Sequence, residues 1–299
     1  MKNINRLSTL VQDFNKISLQ NMEVKMSFSS EVVSIEIKDK VGTLWLDRPE
    51  KYNALSEQVW LDIPKALNEL VKLDCRVIIL AGKGKHFCVG IDLVQGGLSN
   101  HLSHASESDA TANLKQLEGT KAFQDSISSL ANCSLPVIAV IQGHCLGAGI
   151  DMITACDIRI GVEDSNYSVR ETRIGLVADV GTLQRLPKVI SAGHVAELAY
   201  SGKDIDAKRA EKIGLVNDVY ESLEKAMAEA HDLANIIAAN PPLAVSGTKF
   251  ILQQSENLTT EQSLLMNGMF TLMTSLKSND LKESMNAFIE KRPPRYTGT

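Results

Sequence analysis

Hydrophobic and polar residues alternate from Val32 onward, first in VVSIEI and again in VGTLWLD, with Lys-Asp-Lys between the two runs. This period of two predicts a β-hairpin. The next segment, Leu55 to Leu73, carries apolar residues at helical spacing, and Arg76 to Leu80 is a short, mostly apolar run suited to a buried strand. The pattern therefore predicts a hairpin, a helix and a strand, in that order.

The same kind of unit then repeats. Helical spacing over Phe123 to Leu130 precedes the apolar run Val137 to Ile141, and a helix that starts after Gly147 leads to a further strand, Ile158 to Ile160. Strands that alternate with helices favour an α/β fold with a largely parallel sheet. The chain has no Gly-x-Gly-x-x-Gly motif after a strand and no Walker loop, so a dinucleotide or nucleoside triphosphate fold receives little support.

Two other regions do not follow this alternation of strands and helices. The stretch from Leu93 to Thr120 is too polar for the core and is expected to form a mobile loop with a short helix, typical of a lid. Beyond Val219 the composition turns helical, with Pro241 and Pro242 between helices. We therefore expect a flexible N-terminal extension over residues 1–30, a core over 31–219 and a helical C-terminal subdomain over 220–299.

The composition of the chain limits the kinds of partner that it is expected to bind. The 299 residues include 31 Lys and Arg against 36 Asp and Glu, a net charge of -5, which argues against nucleic acid or an anionic membrane as a partner. No 18-residue apolar run is present. The cysteines form no Cys-x-x-Cys pair and no metal-ligand spacing, so reduced thiols and a cytoplasmic location are expected. They are Cys75, Cys88, Cys133, Cys145 and Cys156.

Two glycine-containing segments have sequences that are not typical of a hydrophobic core. In Lys85 to Leu93 (KHFCVGIDL), Gly90 permits a sharp turn that could leave neighbouring N–H groups unpaired. The second, Gly143 to Asp151 (GHCLGAGID), follows a buried strand and opens a helix, where N–H groups carry positive dipole character suited to an oxyanion. The alternative is a pair of tight turns in which glycine serves packing.

Three acids follow in segments whose neighbours are mostly apolar: Asp151, Glu171 and Asp179. A carboxylate in apolar surroundings is costly unless it is paired, and its pKa tends to rise, as proton-transfer catalysts require. Taken singly, each acid could instead be a surface residue, a helix cap or an ion-pair partner of a nearby arginine. The arginines in reach are Arg159, Arg170, Arg173 and Arg185.

The order of these motifs resembles the crotonase (enoyl-CoA hydratase/isomerase) superfamily. It runs VGTLWLDRPEKYNAL, KHFCVGIDL, PVIAVIQGHCLGAGIDMITACDIRI and GLVADVGTLQRLPKVI, and it extends from about Val32 to Asn217, with a looser match to AFIEKR. The resemblance implies a spiral of ββα and βαβ turns with a helical C-terminal part that drives assembly. A homotrimer or a dimer of trimers is the expected oligomer.

The resemblance also assigns chemistry. It implies that the backbone N–H groups of Ile91 and Ala148 hold the thioester carbonyl and stabilise an enolate. Hydratases of the superfamily carry two Glu about 20 residues apart, matched here by Asp151 and Glu171. Their usual Gly is replaced by Asp179, which resembles the dienoyl-CoA isomerases of the superfamily. The implied reaction converts a 3,5-dienoyl-CoA into a 2,4-dienoyl-CoA in fatty-acid β-oxidation.

In that reaction we expect Asp179 to serve C2, Glu171 to serve C6 and Asp151 to orient or tune the other charges. By the same resemblance the coenzyme A phosphates would meet Arg48, Lys51 and Lys291, the last one from a neighbouring subunit. Coenzyme A is then part of the substrate, and neither a separate cofactor nor a metal is expected. Asp92, beside the first oxyanion donor, is expected to be structural.

Two other functions are also compatible with the sequence. A 2-enoyl-CoA hydratase would use Glu171 with Asp151 and a water, and a noncatalytic acyl-CoA or RNA-binding member of the superfamily would use no acid at all. The histidines lack metal-ligand spacing, and the methionines that recur near the C-terminus at helical spacing suit core or subunit interface. These residues are His86, His144, His194, Met266, Met269 and Met273.

Overall fold

The structure, a computed structural model, describes residues 28–96 and 109–299. Residues 1–27 of the expected N-terminal extension and residues 97–108 of the expected loop lie outside the described residues. In the described ranges the strands are β1 (Val33–Lys38), β2 (Val41–Leu46), β3 (Val77–Gly82), β4 (Val137–Ile141), β5 (His144–Leu146), β6 (Ile158–Val162), β7 (Asn166–Ser168), β8 (Ile205–Asp206) and β9 (Asp218–Tyr220).

The helices of the same ranges lie between and after these strands. They are α1 (Glu57–Lys72), α2 (Asp109–Asn132), α3 (Ala148–Ala155), α4 (Thr182–Val189), α5 (Ala192–Ser201), α6 (Ala207–Lys212), α7 (Leu223–Ala238), α8 (Pro242–Ser255), α9 (Thr260–Met273) and α10 (Asn279–Glu290). Short 3₁₀ turns cover Pro49–Lys51, Glu171–Ile174 and Ser275–Lys277.

The main sheet has the strand order β1-β2-β3-β4-β6-β9. β1 and β2 pair antiparallel, with Val33 opposite Leu46, which confirms the predicted hairpin. The remaining pairs are parallel, as the alternation of strands and helices predicted. A smaller sheet, β5-β7-β8, lies beside it. The α/β fold class is therefore confirmed.

The main sheet separates the core into two layers. Along β3, Ile78 and Leu80 pack with the apolar face of α1, whereas Ile79 packs on the opposite side with α7, because successive strand residues point to opposite faces. Both β3 and β4 are buried along their whole length. Strands covered on both faces are continuous apolar runs rather than alternating ones, and the sequence pattern predicted them on that basis.

The helix α7 lies against the sheet through a row of alanines. Ala226, Ala230, Ala234 and Ala238 recur every fourth residue, are buried and share a cluster with the sheet residue Val140. Residues four apart lie on one face of a helix, and side chains this small let the helix axis approach the sheet closely. The boundary expected at residue 220 therefore precedes a helix that packs on the core.

The helix α2 differs from the prediction. A helix was expected only over Phe123 to Leu130, with a loop and a short helix before it, but one helix runs over Asp109–Asn132. Leu114 and Leu117 are exposed in this chain, so the first half of α2 lacks the apolar stripe by which a helix is recognised. One contact that fixes α2 joins distant segments: the Ser126 hydroxyl donates to the Trp60 carbonyl over 2.6 Å.

The C-terminal helices leave a large apolar surface exposed. α9 begins with a capping box between Thr259 and Gln262, and it has no buried residue. Met269 and Met273 are exposed, so the methionine stripe does not belong to the core of this chain. The exposed large apolar side chains of α9 are Leu264, Leu265, Met269, Leu272 and Met273, and those of α10 include Met285, Phe288 and Ile289.

Candidate active site

Two glycine turns meet beside the small sheet. The Cys88 N–H donates to the His144 carbonyl over 3.0 Å, and the Leu146 N–H donates to the Cys88 carbonyl over 2.9 Å. Gly90 has a φ of 95°, and a Cβ added to it would lie 3.0 Å from the Leu146 oxygen. Gly147 has a φ of 53°. Both turns therefore need glycine, and the close approach brings them side by side.

Each turn presents one backbone N–H group, that of Ile91 and that of Ala148. In the part of the chain that the structure describes, neither group donates to another protein atom. Ala148 is the first residue of α3, where N–H groups have no partner within the helix and carry positive dipole character. A Cβ on Gly90 would lie 3.6 Å from the Ala148 nitrogen, so the two turns present their donors close together. This arrangement suits a developing oxyanion.

The donors open into a mainly apolar cavity of about 390 Å³. The three predicted acids, Asp151, Glu171 and Asp179, line the same cavity as Ile91 and Ala148. The structure thus brings together five residues from three separate parts of the sequence. The apolar wall includes Trp60, Leu93, Phe123, Ile174, Leu176, Val177 and Val180, and the Trp60 and Phe123 rings are 4.9 Å apart between centroids.

Asp151 lies in the first turn of α3 and is only 1% exposed. Burial raises its pKa to about 6, and the nearby Asp179 charge acts in the same direction. The side chain and N–H of Thr182 and the Arg185 charge oppose this increase in the pKa of Asp151. The Thr182 N–H, at the start of α4, donates to Asp151 Oδ1 over 2.5 Å. Asp151 is therefore held in one orientation by the backbone of a neighbouring helix.

Glu171 starts the 3₁₀ turn at Glu171–Ile174 and reaches over the second glycine turn. A Cβ on Gly147 would lie 3.4 Å from Glu171 Oε1, and Oε2 is buried without a hydrogen-bond partner among the described residues. Burial raises the pKa of Glu171 to about 7, and the Asp151 charge adds to the increase. A carboxyl group with a pKa near neutrality can both accept and donate a proton at working pH.

This raised pKa predicts a pH-dependent stability. Between the ordinary pKa of 4.5 and about 7 the folded chain keeps a proton on Glu171 that the unfolded chain releases. The stabilising contribution is therefore complete below pH 4.5 and is lost as the pH rises through 7, with a magnitude on the order of 3 kcal/mol. In thermal unfolding at pH 5 to 8, we expect Glu171→Gln to become more stable than the parent chain as pH rises. Parallel curves would contradict this expectation.

Asp179 is exposed, whereas Asp151 is buried and Glu171 is half-buried, so the three segments are not all buried as their apolar neighbours suggested. Leu176, Val177 and Val180 line the cavity, whereas Ala178 belongs to the core. The segment is held from two sides: Gln124 Nε2 donates to the Asp179 carbonyl over 2.7 Å, and Arg185 Nη1 donates to the Val180 carbonyl over 3.4 Å. The side chain of Asp179 thus lines the cavity, while hydrogen bonds hold the backbone of its segment in place.

Sequence reasoning missed the positioning contacts of Gln124, Thr182 and Arg185. Arg185 was considered only as an ion-pair partner, but it donates to the Ser128 hydroxyl over 2.8 Å, and a Cβ on Gly181 would meet its guanidinium at 1.8 Å. None of the three acids forms an ion pair within residues 28–96 and 109–299. These contacts join segments far apart in sequence, and no local pattern indicates them.

The cations expected to meet coenzyme A lie outside the cavity wall. Arg48 is only 7% exposed and contacts Asp92, and its contact with coenzyme A stays a prediction. Its guanidinium also donates to the Ala54 carbonyl and to Gln95 Oε1. Lys51 and Lys291 are exposed, the first in a 3₁₀ turn and the second at the end of α10. Phosphate binding by these two lysines stays a prediction.

The remaining predicted features concern cysteine, histidine and the membrane. All five cysteines are free thiols, which confirms the expectation from their spacing. His86 and His144 stack with ring centroids 4.4 Å apart, and the His144 N–H donates to His86 Nδ1. Across the two described ranges, no cluster of three His, Cys, Asp or Glu could hold a metal ion. No helix there is long and apolar enough to cross a bilayer.

Comparison with known proteins extends these observations. A family model described as enoyl-CoA hydratase/isomerase matches residues 36–299. A Dictyostelium discoideum protein named mitochondrial Delta(3,5)-Delta(2,4)-dienoyl-CoA isomerase is 40% identical over 86% of this chain and 87% of its own. An Arabidopsis thaliana protein with the same enzyme name, designated peroxisomal, is 38% identical over 89% of this chain and 96% of its own.

Solved structures agree with the fold. The enoyl-CoA hydratase from Bacillus anthracis superposes with a TM-score of 0.79 at 28% identity and covers 90% of this chain and 100% of its own. The enoyl-CoA hydratase from Mycobacterium tuberculosis gives a TM-score of 0.77 at 31% identity, with the same coverage. The predicted spiral architecture with a helical C-terminal part is therefore confirmed.

Proposed function

Because the chain belongs to the enoyl-CoA hydratase/isomerase family, we propose that it is a dienoyl-CoA isomerase of fatty-acid β-oxidation. The substrate is a 3,5-dienoyl-CoA and the product is the conjugated 2,4-dienoyl-CoA. One observation carries this proposal: Asp151, Glu171 and Asp179 line one cavity together with two backbone N–H groups that have no acceptor among the described residues. The relatives from Dictyostelium discoideum and Arabidopsis thaliana carry the same enzyme name.

The reaction follows from placing the thioester carbonyl at Ile91 and Ala148. A base removes a proton from C2, and the electron pair passes into the carbonyl to give a trienolate whose negative oxygen accepts hydrogen bonds from both N–H groups. The electrons then return through the conjugated system as an acid delivers a proton to C6. The double bonds move from C3 and C5 to C2 and C4, and no net proton is gained or lost.

We assign the C6 proton to Glu171 and the C2 proton to Asp179. With a pKa of about 7, Glu171 is protonated in an appreciable fraction of molecules at neutral pH and can act as the donor. Asp179, at the exposed side of the cavity, then takes the proton from C2. Asp151 is held by the Thr182 N–H, and its charge raises the pKa of Glu171, so we assign it a tuning role.

The decisive experiment is a spectrophotometric assay of the purified protein with a 3,5-dienoyl-CoA, followed by the absorbance of the conjugated 2,4-diene. A 2-enoyl-CoA is tested in parallel, because the solved relatives are named enoyl-CoA hydratases. We expect rapid conversion of the 3,5-dienoyl-CoA into the 2,4-dienoyl-CoA and little hydration of the 2-enoyl-CoA. Formation of 3-hydroxyacyl-CoA as the main activity would make the chain a hydratase and would leave Asp179 another role.

We also propose that the chain assembles as a trimer or a dimer of trimers through its C-terminal helices. The support is the set of exposed large apolar side chains on α9 and α10, because exposed apolar patches on a folded chain mark interaction sites. We expect a single species of three or six chains in sedimentation, and we expect Leu265→Glu with Met269→Glu to shift it to smaller species. Lys72→Glu on the exposed side of α1 is the control, and a monomeric parent chain would contradict the proposal.

The cellular compartment stays a prediction. The cysteine pattern led us to expect the cytoplasm, whereas the relatives from Dictyostelium discoideum and Arabidopsis thaliana are named mitochondrial and peroxisomal. The free thiols fit any reducing compartment. Phosphate binding by Lys51 and Lys291 is likewise proposed for the assembled protein, since an exposed lysine can pair with the phosphates of coenzyme A.

A further inference from the structure

Arg48 is a buried cation with three acceptors. Its Nη1 donates to the Ala54 carbonyl over 2.6 Å and to Asp92 Oδ2 over 3.2 Å, and its Nη2 donates to Gln95 Oε1 over 2.9 Å. Only 7% of the residue is exposed. The planar guanidinium offers donors in a fixed fork, so one side chain can hold two separate segments in a defined relation.

The main chain of Arg48 is fixed as well. Its N–H donates to Asn53 Oδ1 over 2.9 Å, and the Asn53 N–H returns a bond to the Arg48 carbonyl over 2.9 Å. The Asn53 amide then donates to the His86 carbonyl over 2.7 Å. Arg48 is therefore anchored to the segment that leads into the first glycine turn, and its side chain starts from a rigid base.

Asp92 connects Arg48 to the loop after the donor turn. Its Oδ2 faces Arg48, while Oδ1 accepts from the N–H groups of Val94 and Gln95, each over 3.0 Å. Burial alone would raise the pKa of Asp92, but the two N–H groups and the guanidinium outweigh it and lower that pKa. The carboxylate thus stays charged and fully engaged within this loop.

Both peptide groups around Ile91 are bound to a single residue, Leu55. The Leu55 N–H donates to the Gly90 carbonyl over 2.9 Å, and the Asp92 N–H donates to the Leu55 carbonyl over 3.0 Å. Arg48 in turn binds the carbonyl of Ala54, the neighbour of Leu55, and the side chain of Asp92. The guanidinium therefore joins the two segments that hold the Ile91 N–H in place.

From these contacts we infer that Arg48 is a positioning residue for the oxyanion hole, acting through Asp92 and Ala54 on the direction of the Ile91 N–H. The inference rests on the proposed function, since it gives that N–H a substrate carbonyl to bind. Arg48 touches neither substrate nor reacting atoms in this role. Its loss changes the stabilisation of the enolate and leaves the affinity for coenzyme A unchanged.

The test uses Arg48→Lys, which keeps the positive charge beside Asp92 but cannot bridge Ala54, Asp92 and Gln95 at once. Isomerase kinetics are measured with a 3,5-dienoyl-CoA and with the matching N-acetylcysteamine thioester, which has no phosphate. We expect kcat to fall about 10- to 100-fold with both substrates, because a small misplacement of a catalytic group costs this much. KM for the coenzyme A ester should stay within about twofold of the parent value.

A second measurement does not depend on turnover. Binding of the conjugated 2,4-dienoyl-CoA shifts its absorbance to longer wavelength when hydrogen bonds polarise the thioester carbonyl, and we expect Arg48→Lys to reduce this shift. If the parent chain shows no isomerase activity, the proposed function fails while the spectral shift still tests Arg48. Gln95→Ala, which removes one acceptor at the exposed end of the network, replaces Arg48→Lys if that variant does not fold.

The control for general destabilisation is Lys249→Gln, which breaks the ion pair between the buried Lys249 and Asp157, away from the cavity. It should lower the melting temperature without a change in kcat or in the spectral shift. A rise in KM confined to the coenzyme A ester, with kcat unchanged, would make Arg48 a phosphate ligand and overturn the inference. Unchanged kinetics together with an unchanged spectral shift would also overturn it.

Discussion

Asp179→Asn removes most isomerase activity, by about 10²- to 10⁴-fold in kcat, and leaves binding of coenzyme A esters nearly intact. The substitution keeps the size of the side chain and its place at the cavity, but an amide cannot accept the C2 proton, and a positioned general base contributes about this factor. The Gln124 bond goes to the backbone of residue 179, so the segment should keep its position in the variant. Steady-state kinetics with a 3,5-dienoyl-CoA measure the effect.

The matched control is Asp125→Asn, an exposed acid on α2 that pairs with Lys121 and does not line the cavity. It should leave kcat unchanged. An unchanged rate in Asp179→Asn would overturn the role given to this acid.

The roles of Glu171 and Asp179 can be separated by isotope exchange in deuterated water. Glu171→Gln should still exchange the C2 proton of the substrate, whereas Asp179→Asn should not. The opposite pattern would exchange the two assignments.

Ala148→Pro lowers kcat by about 10²- to 10³-fold, the loss observed when one oxyanion donor is removed. Ala148 is the first residue of α3, and proline fits this position because its fixed φ is already helical and no helical hydrogen bond is lost. The substitution therefore deletes the N–H group and leaves the helix. Kinetics and a melting curve on the same preparation separate the loss of catalysis from a loss of stability.

Ala192→Pro provides the control for this substitution. Ala192 is the first residue of α5, follows the N-cap Ser191, and lies away from the cavity wall. The same chemical change at an equivalent helix position should leave kcat unchanged. If Ala148→Pro retained the parent rate with a normal melting curve, the Ala148 N–H would not be an oxyanion donor.

Local patterns were sufficient for several elements. β4 was predicted with the bounds it has, because its five apolar residues are buried on both faces and a proline precedes them. The two glycine turns were also identified. Gly90 indicated the first turn, and the second contains several glycines between a buried strand and the start of a helix. The positive φ angles of Gly90 and Gly147 supply the physical reason for those glycines.

Other features depend on contacts between distant segments, which a single sequence does not display. The start of α2 has no apolar stripe, so its helical character was missed. The segment of Asp179 was expected to be buried because its residues are mostly apolar, but Leu176, Val177 and Val180 line the cavity. The contact between Arg48 and Asp92 was also missed, because the two residues are 44 positions apart along the chain.

The alanine row of α7 has a consequence for how the protein can be divided. Truncation near residue 220 would remove Ala226, Ala230 and Ala234 from the sheet and expose Ile79 and Val140 to water. A fragment that ends there would lose one wall of its own core, so it should aggregate instead of surviving as an independent catalytic unit. The helix α7 and the active site therefore belong to one cooperative folding unit, and a truncation that removes this helix should abolish the fold and the activity together.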